Sequence, residues 1–344
     1  MSHSVVIGGA GFVGSWVVEE LLKDSQSKVT IIDNLLSSER WNISTDPRVS
    51  FIEGSASNMH TLDKIIKPVD FIYQLACYHG NQNSIARPLE DLEHGLSTTL
   101  TALQWTVANS PQTTFVYTGA GCSIAEKTWD IPKPVKEIDQ ISLLHDSPYS
   151  ISKTAGEMYC LFFQKEFALK LVRVRFQNVY GPREILGAGF WRGTEHTIWR
   201  NVIPSFVWKS LHNHDLIVND SKATRDFIFV SDVARATVAA AKAPLTPNAF
   251  NIASGKETNI FHLAQLIVRM TNSQSVIHLT QRRQWDNSGR RYADISNSFK
   301  SLNFFEEYNL NQGLYETIEW QKNNIDRIQS TIDKHINLIP YPST

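Results

Sequence analysis

Seven residues near the start constrain this chain more than any others. Gly8-Gly9-Ala10-Gly11-Phe12-Val13-Gly14 follows the apolar run Val5-Val6-Ile7 and opens a stretch, Phe12–Lys23, with Val13, Trp16, Val17 and Leu21 at helical spacing. Glycines 8, 11 and 14 have separate jobs in a strand–turn–helix unit. One allows the tight turn, one lets backbone approach a pyrophosphate, and one allows close helix–strand packing. The helix start then offers free N–H groups and a positive dipole end to phosphates. Asp33 ends the second apolar run, about 20 residues further on, where a carboxylate accepts from both adenosine-ribose hydroxyls. It would repel a 2′-phosphate, so the expected cofactor is NAD rather than NADP.

The pattern around this unit repeats. Val29–Ile32, Val49–Ile52, Phe71–Leu75, Phe115–Tyr117 and Leu171–Arg175 read as strands. Helical spacing is seen at Met59–Ile66, Leu92–Asn109 and Ser152–Phe167. Apolar strands alternating with helices predict a Rossmann-type α/β fold, a doubly wound parallel sheet covered on both faces. Residues 1–180 are expected to be mainly the NAD-binding domain. Residues 181–344 are expected to form a smaller C-terminal α/β substrate-binding region, with some segments returning to the sheet. The stretch 181–208 reads as a substrate lid followed by a helix.

Charge and cysteines narrow the function. A net charge of −1 argues against nucleic acid or an anionic membrane surface as partner. Three cysteines, Cys77, Cys122 and Cys160, make neither a disulfide framework nor a CxxC zinc site, so no metal is expected. No apolar run is long enough for a signal peptide or a membrane span. A cytoplasmic location is the expectation.

Tyr149 and Lys153 stand four residues apart, on one helical face. An ammonium near a phenol favours the phenolate, lowering a pKa that starts near 10. Such a tyrosine takes a proton from a sugar hydroxyl while hydride leaves the same carbon for a nicotinamide.

Together these residues resemble the extended short-chain dehydrogenase/reductase family, specifically its nucleotide-sugar epimerases and dehydratases. The resemblance runs through Gly8–Gly14, Asp33-Asn34-Leu35, Leu75-Ala76, Tyr149 with Lys153, Arg175–Pro182, Arg225–Val230 and Asn251–Gly255. It implies cofactor contacts from Gly8, Gly11, Phe12, Val13, Gly14, Asp33, Asn34, Ser55, Leu75, Ala76, Tyr149 and Lys153. It implies substrate contacts from Asn178, Arg225 and Arg291, the arginines on the diphosphate of a nucleotide-diphosphate sugar, where a guanidinium fork suits phosphate oxygens. It also implies a homodimer built on the Leu92–Asn109 and Ser152–Phe167 helices.

The chain departs from the family's pattern in four places. Ser55 stands where an aspartate usually meets the adenine amine. Gly95-Leu96-Ser97-Thr98-Thr99 replaces the usual Asn-Val-x-Gly-Thr. Ala120 occupies the position of a Ser or Thr that bonds the reacting hydroxyl, with Thr118 and Ser123 nearby. The Thr-Asp-Glu triplet of 4,6-dehydratases is absent. Cys122 instead aligns with the catalytic cysteine of GDP-mannose 3,5-epimerases, and the Phe190–His196 region is similar to theirs, which makes His196 its candidate proton partner. The leading expectation is an NAD-dependent epimerase that oxidises C4 transiently, with Cys122-assisted proton exchange at C3 or C5. The alternatives are a UDP-sugar 4-epimerase, a dehydratase or ring-rearranging synthase, and a non-catalytic NAD-binding protein.

Overall fold

The computed structural model describes residues 2–78, 80–121, 128–141, 143–185, 201–244, 249–282 and 289–338, with 334–338 as backbone only. The strands are β1 (Ser2–Ile7), β2 (Ser27–Asp33), β3 (Val49–Glu53), β4 (Phe71–Gln74), β5 (Thr114–Ala120) and β6 (Lys170–Phe176). They continue with β7 (Asn178–Tyr180), β8 (Leu216–Asn219), β9 (Thr224–Arg225), β10 (Phe227–Phe229), β11 (Ala249–Ile252), β12 (Thr258–Asn259) and β13 (Ile277–Thr280). Among the described residues the main sheet has seven strands, ordered β11-β6-β5-β4-β1-β2-β3. Every pairing within it is parallel. The order reverses between β1 and β4, and in an open α/β sheet a ligand crevice forms at the strand C-termini beside such a reversal.

The helices are α1 (Phe12–Leu22), α2 (Met59–Leu62), α3 (Asn81–Ala86), α4 (Pro88–Asp91), α5 (Thr98–Asn109), α6 (Pro148–Phe167), α7 (Val202–Leu211) and α8 (Val230–Ala241). After them come α9 (Ile260–Thr271), α10 (Ser296–Leu302), α11 (Leu310–Asn323) and α12 (Ile325–Leu338). Strand side chains alternate between faces, and the core shows it. Val6, Ile31, Tyr73, Val116 and Val172 pack on one face with Val17 and Leu21 of α1 and Val233 and Ala240 of α8. Val5, Ile7, Ile72, Phe115 and Leu171 pack on the other with Leu103 of α5 and Cys160 and Phe163 of α6. Strands buried on both faces explain the unbroken apolar runs in the sequence. A third cluster joins Val207 of α7, Val218 of β8, Leu263 of α9 and Leu314 of α11. Thus β11 and α8, late in the chain, complete the first sheet and its cover. No described helix is long and apolar enough to cross a membrane.

Two boundaries and the character of one helix differ from the sequence reading. The helix expected at Met59–Ile66 is a single turn, Met59–Leu62. Leu62, Ile65 and Val69 have helix-like spacing but are delivered to one core cluster by a bent chain. The Leu92–Asn109 helix opens with a π-helical turn, Leu92–Ser97. The helix expected from Ser152 starts at Pro148. Ser147 accepts from Ser150 N there, and proline suits the first helical position because its missing N–H would be unpaired anyway.

Candidate active site

At the C-terminal ends of the strands lies a cleft of about 450 Å³. Every site residue expected from the sequence that falls among the described residues lines it. Cys122, Ser123 and His196 lie outside the described residues, as does 186–200 of the expected lid.

The glycine turn forms one wall. Gly8 has φ +85° and packs so closely on the chain after β4 that a Cβ would meet Ala76 N at 2.7 Å. A Cβ on Gly14 would lie 2.0 Å from the Gly8 carbonyl oxygen. Gly11 is the N-cap of α1 and carries no side chain to cap its amides. The cradle therefore leaves N–H groups open to a phosphate, and the residues fit a dinucleotide.

Asp33 is buried and accepts from Ala10 N at 3.0 Å, Leu35 N at 2.9 Å and Ser38 Oγ at 2.7 Å. Burial raises its carboxyl pKa, against the lowering effect of those donors. Ser55 also reaches the cleft, but its hydroxyl bonds Ser57 Oγ at 2.8 Å.

The Tyr149–Lys153 pair is held from three sides. Tyr149 and Lys153 are one turn apart on α6, with Tyr149 in its first turn. Tyr149 N donates to Ser84 Oγ of α3 at 3.0 Å, and Ser147 Oγ donates to Asn81 Oδ1 at 2.9 Å. Lys153 Nζ donates to Thr118 O at 2.9 Å. Tyr117 donates to Lys153 O at 2.8 Å, an approach that Gly156 permits. Further along α6, Glu157 is clamped by Arg173 Nη1 and Arg175 Nη2 from β6, each at 2.6 Å. The arginine of the Arg175–Pro182 motif is thus a strut between sheet and helix.

Thr118 Oγ1 donates to Gln74 O at 2.7 Å, so its one hydroxyl proton is turned into the sheet rather than to the position of the hydroxyl missing at Ala120.

At the far end, Asn178, Arg225 and Arg291 share the cleft with Lys209 of α7. Arg225 Nη1 is steadied by Thr224 O and Gly289 O at 2.7 and 2.9 Å. Arg291 is buried, and among the described residues its Nε has no partner. Asp226 knits this end together. It accepts from Ser254 N and Oγ, Gly255 N and Ala293 N, and burial pushes its pKa up to about 6. Arginines grouped around a cavity, one with an unmade donor, suit a diphosphate.

Sequence reasoning missed Lys209, Asn81–Asn83, His94 and Gln177, all of which line the cleft. No spacing signal marks them, because they come from separate elements. Among the described residues no group of His, Cys, Asp or Glu could hold a metal ion.

A family profile described as the NAD dependent epimerase/dehydratase family matches residues 4–253. The Bordetella bronchiseptica enzyme WbmF, solved with NAD+ and UDP, is 41% identical, covering 98% of this chain and 97% of its own, with a TM-score of 0.85. An epimerase of Methanothermobacter thermautotrophicus is 30% identical, covering 96% and 95%, with a TM-score of 0.86. The UDP-N-acetyl-alpha-D-glucosaminuronate decarboxylase of Bacillus cytotoxicus is 28% identical over 92% of this chain and 96% of its own.

Proposed function

The chain belongs to the NAD-dependent epimerase/dehydratase family, and from that premise we propose that it epimerises the sugar of a UDP-linked substrate through transient oxidation at C4. One observation carries the reading: a glycine cradle with Asp33, the Tyr149–Lys153 pair and a two-arginine end all line a single cleft. The similar WbmF was solved with UDP, and the arginines lining this cleft suit its diphosphate, which supports UDP as the nucleotide.

NAD, when bound, supplies the hydride acceptor and donor. The protein's own groups do the rest. Lys153, fixed by Thr118 O, places its ammonium one helical turn from Tyr149 and favours the phenolate. Tyr149 takes the proton from the C4 hydroxyl and later returns it to the ketone oxygen. Arg225, Arg291 and Asn178 hold the nucleotide end while the keto-sugar presents its other face.

The same oxidation acidifies C3 and C5, and there Cys122, with His196 as acid, would exchange a proton. A pure 4-epimerase needs neither residue. The active unit is proposed to be a homodimer. Ile151, Met158 and Phe162 on α6 are each more than half exposed and fall seven and four residues apart, forming an apolar stripe for a partner helix.

Conversion of UDP-glucose, UDP-N-acetylglucosamine and UDP-glucuronate in deuterated water, followed by NMR, tests the reading. An epimer labelled at C3 or C5 supports the Cys122 route, and an unlabelled epimer supports simple 4-epimerisation. Failure to convert any of the three would overturn the proposal.

A further inference from the structure

The sheet register brings an amide to the place where a hydroxyl is missing. Ala120 ends β5 opposite Phe176, which ends β6, so Gln177 is the next residue on the neighbouring strand. Its backbone N–H is tied to Ile252 O at 3.2 Å. Its side chain lies against β5's end, where a Cβ on Gly121 would sit 2.3 Å from Nε2 and 3.1 Å from Oε1. Any side chain at 121 would therefore displace the amide. Gln177 is 8% exposed and lines the cleft with Ala120, Tyr149, Lys153 and Asn178. Among the described residues Nε2 has no hydrogen-bond partner. Folded proteins rarely leave a buried amide donor unmade, because nothing then repays its lost hydration. This buried donor, set against Gly121, belongs to a residue that shares its cleft with Tyr149 and Lys153, where a ligand would bring an acceptor.

We propose that Gln177 donates through Nε2 to the oxygen on the reacting carbon of the sugar, in place of the hydroxyl absent at Ala120. This rests on the epimerase reading above. The chemistry of an amide differs from that of a hydroxyl. As the sugar alcohol is oxidised, its O–H proton passes to Tyr149 and its C–H hydride to bound NAD. The oxygen changes from donor and acceptor to acceptor only. An amide NH2 donates at every stage and takes no proton, so it stabilises the developing carbonyl more than the alcohol. All proton traffic at that oxygen then falls to Tyr149.

The test measures the holoenzyme on whichever of UDP-glucose, UDP-N-acetylglucosamine and UDP-glucuronate the unaltered protein converts. Gln177→Leu keeps most of the volume and removes the donor. It should lower kcat about 10²- to 10³-fold, the scale of losing one preorganised donor. KM should stay within about threefold, since the bond strengthens only as the carbonyl forms. Affinity for UDP by calorimetry and the urea midpoint should be unchanged. Adding Ala120→Ser to Gln177→Leu should return at least about tenfold of the loss. Gln177→Glu preserves shape but not the donor, and should fall as far even if the leucine variant misfolds. A kcat within about threefold of normal in both variants would overturn the proposal. So would a loss matched by weaker UDP binding and a lower urea midpoint, with no rescue by Ala120→Ser. If the unaltered protein converts none of the three sugars, the epimerase reading itself fails and takes this assignment with it.

Discussion

Replacing Asp33 by asparagine should largely erase the choice between NAD+ and NADP+. The buried carboxylate already accepts from Ala10 N, Leu35 N and Ser38 Oγ. A 2′-phosphate on the ribose would bring a second negative charge to within about 4 Å of it. At an effective dielectric near 20 that repulsion is about 4 kcal/mol. Each 1.4 kcal/mol is tenfold, so the native protein should prefer NAD+ by about 10³-fold. The Asp33→Asn change keeps the shape and removes the charge, and the preference should shrink to within about tenfold. Absolute affinities will mislead, because one amide atom of the asparagine faces the Ala10 N–H as a donor and loosens the turn by about 1–3 kcal/mol. The ratio of the two dissociation constants, by calorimetry on protein stripped of dinucleotide, cancels that common loss. The pH dependence follows from the raised pKa. Burial makes the folded state hold the Asp33 proton more tightly, so its contribution to stability is present below the ordinary value of 3.8 and lost as pH rises through the raised one. As pH falls through that raised value the carboxylate neutralises and selectivity should fade. Equal affinities in the native protein, or a ratio unchanged in Asp33→Asn, would refute this reasoning.

Four further outcomes are expected. Tyr149→Phe should cut turnover about 10²- to 10⁴-fold with the circular-dichroism spectrum intact, and near-normal turnover would assign the proton to another residue. Cys122→Ser should largely stop deuterium entry at C3 or C5 while bound NAD is still reduced by the sugar, whereas undiminished exchange would move that role elsewhere. Gly156→Ala would put a Cβ 2.5 Å from the Tyr117 hydroxyl and break its bond to Lys153 O, so urea denaturation should show a loss of about 1–3 kcal/mol. Asp226 is raised to about 6, so its stabilising contribution is present below pH 3.8 and lost as pH rises to about 6. Asp226→Asn should flatten that part of the stability profile, and an unchanged slope would count against the assignment.

Local chemistry was legible in the residues themselves. A Gly8–Gly14 turn has a short-range steric meaning, a Tyr149–Lys153 pair needs only the helical repeat, and strands buried on both faces must read as apolar runs. Those features carried the fold class and the NAD cofactor, and they put Tyr149 and Lys153 forward for the proton transfer proposed above. They misplaced the boundaries at Met59–Ile66 and Ser152, where tertiary burial and a Ser147–Pro148 cap outweighed spacing. What only the tertiary structure decided depends on contacts between distant segments. The register of β5 on β6 sets Gln177 against Gly121 and beside Ala120. Asp226 gathers Ser254, Gly255 and Ala293 behind the two arginines, and Ser84 meets the backbone of Tyr149 from another helix. No periodicity encodes such meetings. They are fixed by which buried donors and acceptors must be satisfied once the sheet has closed and water has left.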